Sequence, residues 1–128
     1  MTIIFKAHTG EGYCFKILSE LLQNNLQTAC FRISQTGIKL CMMDLHQTIL
    51  IDLALDGSKF LTYKYKNNED MFLGINLSHF HKMLKPIKRK EHIQLTIDDE
   101  HPKDLGIEVS TKDGKISTKS FIKIQNIQ

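Results

Sequence analysis

The sequence has 128 residues, with 41% hydrophobic and 24% charged residues, which excludes an intrinsically disordered chain and suits one domain with a sizeable core. No run approaches the roughly 18 apolar residues of a membrane span, and no basic segment leads into an apolar run at the N-terminus, so neither a membrane protein nor a secretory signal is predicted. The formal net charge of +3 does not by itself indicate a nucleic-acid partner, because the positions of the charges decide.

In the first half of the chain, alternating apolar and polar residues predict the strands Ile3–Ala7, Thr28–Ser34, Ile38–Met43, Thr48–Leu55 and Lys59–Tyr65. A helix is predicted from about Glu11 to Asn25, where apolar residues recur at the spacing of one helical face. That face comprises Cys14, Ile17, Leu18, Leu21 and Leu22. The short polar breaks Gln35–Gly37 and Asp56–Ser58 each contain a glycine and predict hairpin turns.

The second half repeats this order, with one helix after the first of the strands Met71–Asn76, His92–Asp98, Leu105–Ser110 and Ile116–Ile124. The helix is predicted from Ser78, a good N-cap residue, to about Ile87, and Pro86 should end or distort its last turn. Because neither helix can bury its apolar face alone, we predict that both pack side by side on a common, curved antiparallel sheet. Residues 1–128 are thus predicted to form one α+β domain of two pseudo-repeated strand-helix-strand-strand-strand units.

Cationic residues cluster around the end of the second predicted helix: Lys82, Lys85, Lys88, Arg89 and Lys90. Lys82 and Lys85 lie opposite the apolar face, and His79 joins them one turn earlier. Such a helix can pack on a sheet and direct its lysines at phosphates. Alternatively, the run is a solvated helix end, where lysines also suit the helix dipole.

No convincing pattern for catalysis or metal binding is present. The histidines His8, His46, His92 and His101 lie on separate segments without zinc-motif spacing, so neither a metal nor a cofactor is predicted. The acidic run Asp98–Glu100 is interpreted as a solvated loop, and a small hydrolase that uses it is an alternative. Because Cys14, Cys30 and Cys41 lie in apolar segments without a CxxC pair, we predict buried thiols in a reducing, intracellular compartment rather than reactive ones.

Two methionines, Met42 and Met43, end one predicted strand before a polar connection. The connection is either a plain strand end and loop, or an adaptable apolar pocket, since methionine suits surfaces that accept varied peptides.

Several segments resemble the DNA sliding clamps of the proliferating cell nuclear antigen family, in the order and at the spacings found there. Thr28–Ser34 with Gly37–Leu40 resembles the paired strands after the first helix of the eukaryotic clamp, and Met43-Asp44 resembles its Met-Asp signature. Leu73–Ser78, with the following Lys82–Lys85, resembles its MGVNL…KILK segment. The resemblance covers nearly the whole chain and implies the sliding-clamp fold.

The resemblance also implies a non-enzymatic processivity factor that encircles duplex DNA without sequence specificity and tethers replication and repair proteins. Lys16 resembles a DNA-facing lysine of the family's first helix, and Lys82 and Lys85 resemble the pair on the second. The expected DNA-binding residues are Lys16, Gln23, His79, Lys82, Lys85, Lys88 and Arg89. The alternative is a monomeric module of the same fold that is held on DNA by its basic face.

Two protein contacts are implied as well. A pocket for partner motifs with a glutamine, an aliphatic residue and two aromatics is expected at Met43, Asp44, His46, Gln47, Thr48 and Leu50, although the family often has histidine where Gln47 stands. The last strand ends the chain with one edge open, and in the family it pairs with a neighbouring subunit. The expected interface residues are Met83, Lys119, Phe121 and Lys123.

Clamps of this family continue through a connector loop into a second lobe, whereas this sequence stops at Gln128. We expect a single N-terminal lobe of viral or protist origin without connector or second lobe, either excised or a half-size clamp. The implied partners are double-stranded DNA, DNA polymerase and other motif-bearing proteins, the clamp loader and other clamp subunits, without a membrane. The expected location is the nucleus, or a viral replication site in an infected cell.

Overall fold

The computed structural model describes residues 2–25, 28–43, 50–88, 90–111 and 113–124, with the backbone alone for residues 25, 41–43, 50 and 51. The described residues form nine strands and two helices. In chain order these are β1 (Ile3–Thr9), α1 (Gly12–Asn25), β2 (Thr28–Ile33), β3 (Gly37–Met43), β4 (Leu50–Asp56), β5 (Thr62–Tyr65), β6 (Met71–Asn76), α2 (Leu77–Leu84), β7 (His92–Asp98), β8 (Asp104–Ser110) and β9 (Ser117–Lys123).

The strands divide into two antiparallel sheets. One has five strands in the order β5-β1-β7-β8-β9, and the other has four in the order β4-β3-β2-β6. The first strand of each half pairs with a strand of the other half: β1 pairs with β7, and β6 pairs with β2. This exchange realises the predicted pseudo-symmetry within one α+β domain. The strands form two sheets, and both helices contact the five-stranded one, α1 through β7 and α2 through β9.

The segment Asp56–Ser58 shows where the chain changes sheets. A carboxylate oxygen of Asp56 accepts a hydrogen bond from the amide of Ser58 at 2.9 Å and starts a 3-10 turn over Gly57–Lys59. That turn leads from β4 in one sheet to β5 in the other, so the predicted hairpin there is wrong. Because Lys59 belongs to the turn, β5 begins only at Thr62.

The predicted hairpin at Gln35–Gly37 is confirmed. Between β2 and β3, the amide of Ser34 donates to the carbonyl of Gly37 at 3.0 Å. A Cβ at residue 37 would lie 2.2 Å from the carbonyl oxygen of Leu55, so the close approach of β4 requires glycine here. The turn between β8 and β9 contains Gly114 at φ +76°, a conformation that glycine adopts without strain.

The buried face of α1 differs from the predicted one. Ser19 and Leu22 are buried, and Phe15 packs against Phe60 with ring centroids 6.1 Å apart. Three members of the predicted face are solvent-exposed instead: Cys14, Ile17 and Leu21. The helix is rotated because the large Phe15 ring fills the core and the small Ser19 allows α2 to approach closely.

The N-cap of helix α2 lies two residues earlier than predicted. The side chain of Asn76 accepts a hydrogen bond from the amide of His79 at 3.1 Å, so Asn76 is the N-cap and the prediction of Ser78 is wrong. Asn76 is extended because it also ends β6, which suits an N-cap residue. The helix ends at Leu84, three residues before the predicted Ile87, because Pro86 ends it as expected.

One hydrophobic core lies between the two sheets and the two helices. It contains the wholly buried side chains Phe5, Ile33, Leu40, Ile75, Leu77, Leu84, Ile93, Ile97 and Ile107. An apolar cavity of about 40 Å³ is lined by residues of both helices and both sheets, which shows that the helix layer and the two sheets meet there. Neither described helix is long and apolar enough to cross a lipid bilayer.

Candidate nucleic-acid interface and docking sites

The two helices lie side by side and touch through a polar contact. Oγ of Ser19 on α1 lies 3.3 Å from Nδ1 of His81 on α2. Lys16, Ser19 and Gln23 follow one another at helical spacing and share one stripe of α1. The contact therefore places the stripe that carries Lys16 and Gln23 next to α2.

Burial of the apolar face of α2 turns its basic face outward. Leu77, Phe80 and Leu84 are buried, and four residues of the opposite face are exposed: Ser78, His79, Lys82 and Lys85. Lys88 is exposed just beyond the helix, and Arg89 lies outside the described residues. Among the described residues, no carboxylate lies within 4.0 Å of the ammonium groups of Lys82, Lys85 or Lys88. These charges are thus available to phosphates.

Helix α1 contributes less positive charge to this surface. Lys16 is half-buried, and its Nζ lies 5.2 Å from the centroid of the Tyr13 ring. Glu20 is exposed one turn further along, and Gln23 is neutral and half-buried. The electropositive part of the helix layer is therefore α2 and the segment after it.

The expected partner pocket is described only at its margins. Met43 and Leu50 lie opposite one another where β3 and β4 end, as expected for adjacent strand ends. Their side chains, and all of Asp44, His46, Gln47 and Thr48, lie outside the described residues.

The expected subunit interface lies along β9, which is an edge strand of the five-stranded sheet. Ile122 is buried, whereas Phe121 is 56% exposed on the outer face. Nζ of Lys119 lies 5.4 Å from the centroid of the Phe121 ring, and Lys123 is exposed on the same face. The half-buried Met83 on α2 lines a groove of about 140 Å³ that reaches β9. The sequence does not show that β4, β5 and β6 are also edge strands, because the pairing partners of a strand depend on residues far away in the chain.

The prediction of buried cysteines is wrong for Cys14, which is exposed because α1 is rotated. Its Sγ lies 3.7 Å from a carboxylate oxygen of Glu11. Desolvation and the neighbouring Glu11 charge raise the pKa of the Cys14 thiol, so the reactive thiolate is disfavoured. Cys30 is half-buried, and burial raises its thiol pKa. The side chain of Cys41 lies outside the described residues.

The acidic run after β7 fixes a turn. A carboxylate oxygen of Asp98 accepts from the amide of His101 at 2.8 Å, and one of Asp99 accepts from the amide of Thr2 at 2.9 Å. The hydrogen bond from Thr2 is the main reason that the pKa of Asp99 is lowered. Asp98 thus stabilises the turn that follows it and Asp99 holds the backbone of Thr2, which gives the hydrolase alternative no support.

The structure brings together two histidines that the sequence places on separate segments. Nε2 of His8 on β1 lies 3.1 Å from Nδ1 of His92 on β7. No local sequence signal indicates this pair, because it depends on the long-range pairing of β1 with β7. Within the described residues, no group of three or more His, Cys, Asp or Glu side chains could hold a metal ion.

Comparisons with known proteins agree with this fold. The family model for the N-terminal domain of proliferating cell nuclear antigen matches residues 4–128. The DNA polymerase sliding clamps of Thermococcus onnurineus (strain NA1) and Thermococcus gammatolerans are 36% and 35% identical over 98 residues, which cover 77% of this chain and 39% of each relative. The Uncharacterized protein 436R of Invertebrate iridescent virus 6 is 29% identical over 143 aligned positions, which cover 98% of this chain and 47% of that protein.

The chain thus spans less than half the length of these relatives. The match to the family model, over residues 4–128, includes both helices and both sheets. The chain belongs to the proliferating cell nuclear antigen family, in the part that corresponds to the N-terminal domain, and has the α+β sliding-clamp fold.

Proposed function

We propose that this chain is the N-terminal lobe of a sliding-clamp subunit, a DNA polymerase processivity factor that encircles duplex DNA without reading its sequence. The observation that carries the proposal is the exposed row of Lys82 and Lys85 on α2, beside the stripe of α1 that carries Lys16. Lysines on a helix surface contact phosphates, and such contacts position a protein on DNA without conveying sequence information.

The protein partners follow from the same proposal. The clamp tethers a polymerase and other replication and repair proteins through motifs with a glutamine, an aliphatic residue and two aromatics, received near Met43 and Leu50. A clamp loader places the ring on DNA, and the open edge of β9 joins a neighbouring clamp subunit. The proposed role is binding rather than catalysis, in the nucleus or at a viral replication site.

The DNA contact is tested by fluorescence anisotropy with two duplexes of unrelated sequence. Both should bind equally, with an affinity that falls steeply as salt rises. Replacing Lys16, Lys82 and Lys85 together by alanine should weaken binding. The matched control replaces Lys39, Lys64 and Lys66, three exposed lysines away from the helices, and should bind like the parent. Equal losses in both triple variants, or a preferred sequence, would refute the helix-layer assignment.

A comparison of circular and linear DNA distinguishes the clamp from the monomeric basic-face module. A closed ring stays on nicked circular DNA at high salt and slides off the same DNA after it is cut. A module held by charge alone leaves both forms at the same salt concentration. Retention on the circle only supports a ring. Equal loss from both forms, at a concentration at which light scattering shows the chain to be assembled, supports the monomeric module.

A further inference from the structure

His8 and His92 face one another on the outer side of the five-stranded sheet. His8 alternates with the buried residues Ala7 and Thr9, so its ring points away from the core that the helices cover. The two ring centroids are 5.2 Å apart, with the ring planes tilted by 49°. Both side chains are half-buried, so the facing nitrogens are held by the protein and still reachable from solvent.

We propose that this pair chelates one divalent transition-metal ion, such as Zn²⁺, Ni²⁺ or Cu²⁺, between Nε2 of His8 and Nδ1 of His92. Imidazole suits these ions, whereas Mg²⁺ and Ca²⁺ prefer sites built from oxygen.

The separation of the two nitrogens matches a chelate. An imidazole nitrogen binds such a metal at about 2.0–2.1 Å. Two nitrogens 3.1 Å apart therefore subtend an angle of about 100° at the metal, between the roughly 90° of octahedral and the roughly 109° of tetrahedral coordination. The pair can bind one ion without a change in the backbone.

The sheet limits movement of both rings. β1 and β7 are hydrogen-bonded neighbours, and His8 lies opposite Gln94, two residues after His92. A Cβ at residue 10 would lie 3.4 Å from Nε2 of His92, so the ring packs directly against the backbone of Gly10. A chelating pair that is ordered before the ion arrives loses little conformational entropy on binding.

A histidine must be a neutral imidazole to bind a metal ion, because the ion takes the lone pair of a ring nitrogen. In the neutral pair, one facing nitrogen carries a proton and donates a hydrogen bond to the other nitrogen. On metal binding, that proton moves to the second nitrogen of the same ring, which leaves both facing lone pairs for the ion and changes no net charge on the pair.

The surroundings supply further polar groups. Gln94 lies opposite His8, and Glu108 on β8 lies opposite Gln94, so an amide and a carboxylate lie on the strands beside the pair. Water completes the coordination. Lys64 on β5 lies opposite Lys6, one step further from the histidines.

The proposal is tested by calorimetric titration of the 128-residue chain with Ni²⁺. One ion per chain should bind, and His8→Gln or His92→Gln should weaken binding by about tenfold or more, equivalent to about 1.4 kcal/mol. His101→Gln, at an exposed turn, is the matched control and should bind like the parent. Circular dichroism without metal shows whether each variant is folded. Unchanged Ni²⁺ affinity in a folded His8→Gln/His92→Gln double variant would overturn the site.

A second measurement uses the unaltered protein, so that it does not depend on the folding of a variant. Paramagnetic Ni²⁺ should first broaden the amide NMR signals of His8, Ile93 and Gln94. First broadening around His79 or His101 would overturn the assignment. In the absence of metal, His8→Gln and the parent should bind DNA with the same affinity, since the histidine pair and the helix layer lie on opposite sides of the sheet. The metal site and the proposed clamp function are therefore tested independently of one another.

Discussion

Oγ of Ser19 lies 3.3 Å from Nδ1 of His81 and joins the two helices through a buried polar contact. The Ser19 hydroxyl also donates to the carbonyl of Lys16 at 2.8 Å, which uses its one proton. Its oxygen must therefore accept from His81, so His81 carries a proton on Nδ1. The contact fixes both the spacing of the helices and the tautomer of the histidine.

Ser19→Ala should lower the free energy of unfolding by about 1–2 kcal/mol, because it leaves the Nδ1–H group of His81 without its acceptor. The measurement is urea unfolding followed by circular dichroism. Ser78→Ala, at an exposed position of α2, is the control and should change stability by less than about 0.5 kcal/mol. Equal effects in the two variants would show that the contact between the helices contributes nothing.

The lysines of α2 should contribute more to DNA binding than Lys16 does. Each lysine that neutralises a phosphate adds about 0.9 to the slope of log K against log salt. Lys82→Ala and Lys85→Ala should each reduce the slope by about that amount. Lys16→Ala should reduce it less, because the Lys16 side chain is half-buried and its ammonium lies near the Tyr13 ring. A larger reduction for Lys16 than for either lysine of α2 would place the main phosphate contacts on α1.

The strand and helix order could be predicted because its signals are local. Alternation and turn residues gave β6 and β7 their observed bounds, and the clean helical spacing around Phe80 identified the basic face of α2. The face of α1 could not be predicted by the same rule. Apolar residues occur around most of that helix, and the choice between Leu21 and Ser19 depends on how closely α2 approaches.

Long-range pairing explains the remaining differences. A short polar segment with glycine can form either a hairpin within one sheet or a connection between two sheets. The residues Asp56–Ser58 therefore did not predict that the chain changes sheets there. The pairing of β1 with β7 joins residues such as Ala7 and Leu95 that are far apart in sequence, and it alone brings His8 to His92. The basic face could therefore be predicted, whereas the histidine pair could not.

The partner pocket leads to a prediction for peptide binding. A peptide with a glutamine, an aliphatic residue and two aromatics should shift the NMR signals of Met43, Gln47, Thr48 and Leu50. A peptide with both aromatics replaced by alanine is the control and should cause no shifts. Shifts confined to other residues at saturating peptide would place the docking site elsewhere.

Stability at alkaline pH should depend on Tyr63. Its hydroxyl donates to the carbonyl of Ser34 at 2.6 Å, and burial raises the pKa of Tyr63 from 10.0 to about 12. The unfolded chain therefore loses this proton more readily than the folded protein does. The contribution of Tyr63 is complete below pH 10 and is lost as the pH rises towards about 12.

The test compares chemical unfolding of the parent and Tyr63→Phe at neutral pH and at about pH 11. The variant should be less stable at neutral pH, because it lacks the hydrogen bond, and should lose less stability on going to alkaline pH. Parallel losses in the parent and in Tyr63→Phe would contradict the assignment.

We expect copies of this chain to associate through β9. The strand lies at a sheet edge with exposed Phe121 on its outer face, and an open edge is a template for another strand. If the natural neighbour of β9 comes from a second lobe, copies of this chain will pair only weakly. We therefore expect a monomer, or an oligomer that dissociates on dilution, when mass is measured by light scattering across a concentration series. If identical lobes close on themselves, the mass will instead stay fixed at several subunits.

Two aspartate variants locate any contact that forms. Phe121→Asp should abolish association, because it places a carboxylate on the outer face of the edge strand where a neighbour must pack. Phe72→Asp is the matched control, since Phe72 is 58% exposed, close to the 56% of Phe121, and lies on β6 at an edge of the other sheet. Loss of association in Phe121→Asp alone supports β9 as the interface. Loss in Phe72→Asp alone would assign the contact to the four-stranded sheet and reject the interface at Lys119, Phe121 and Lys123.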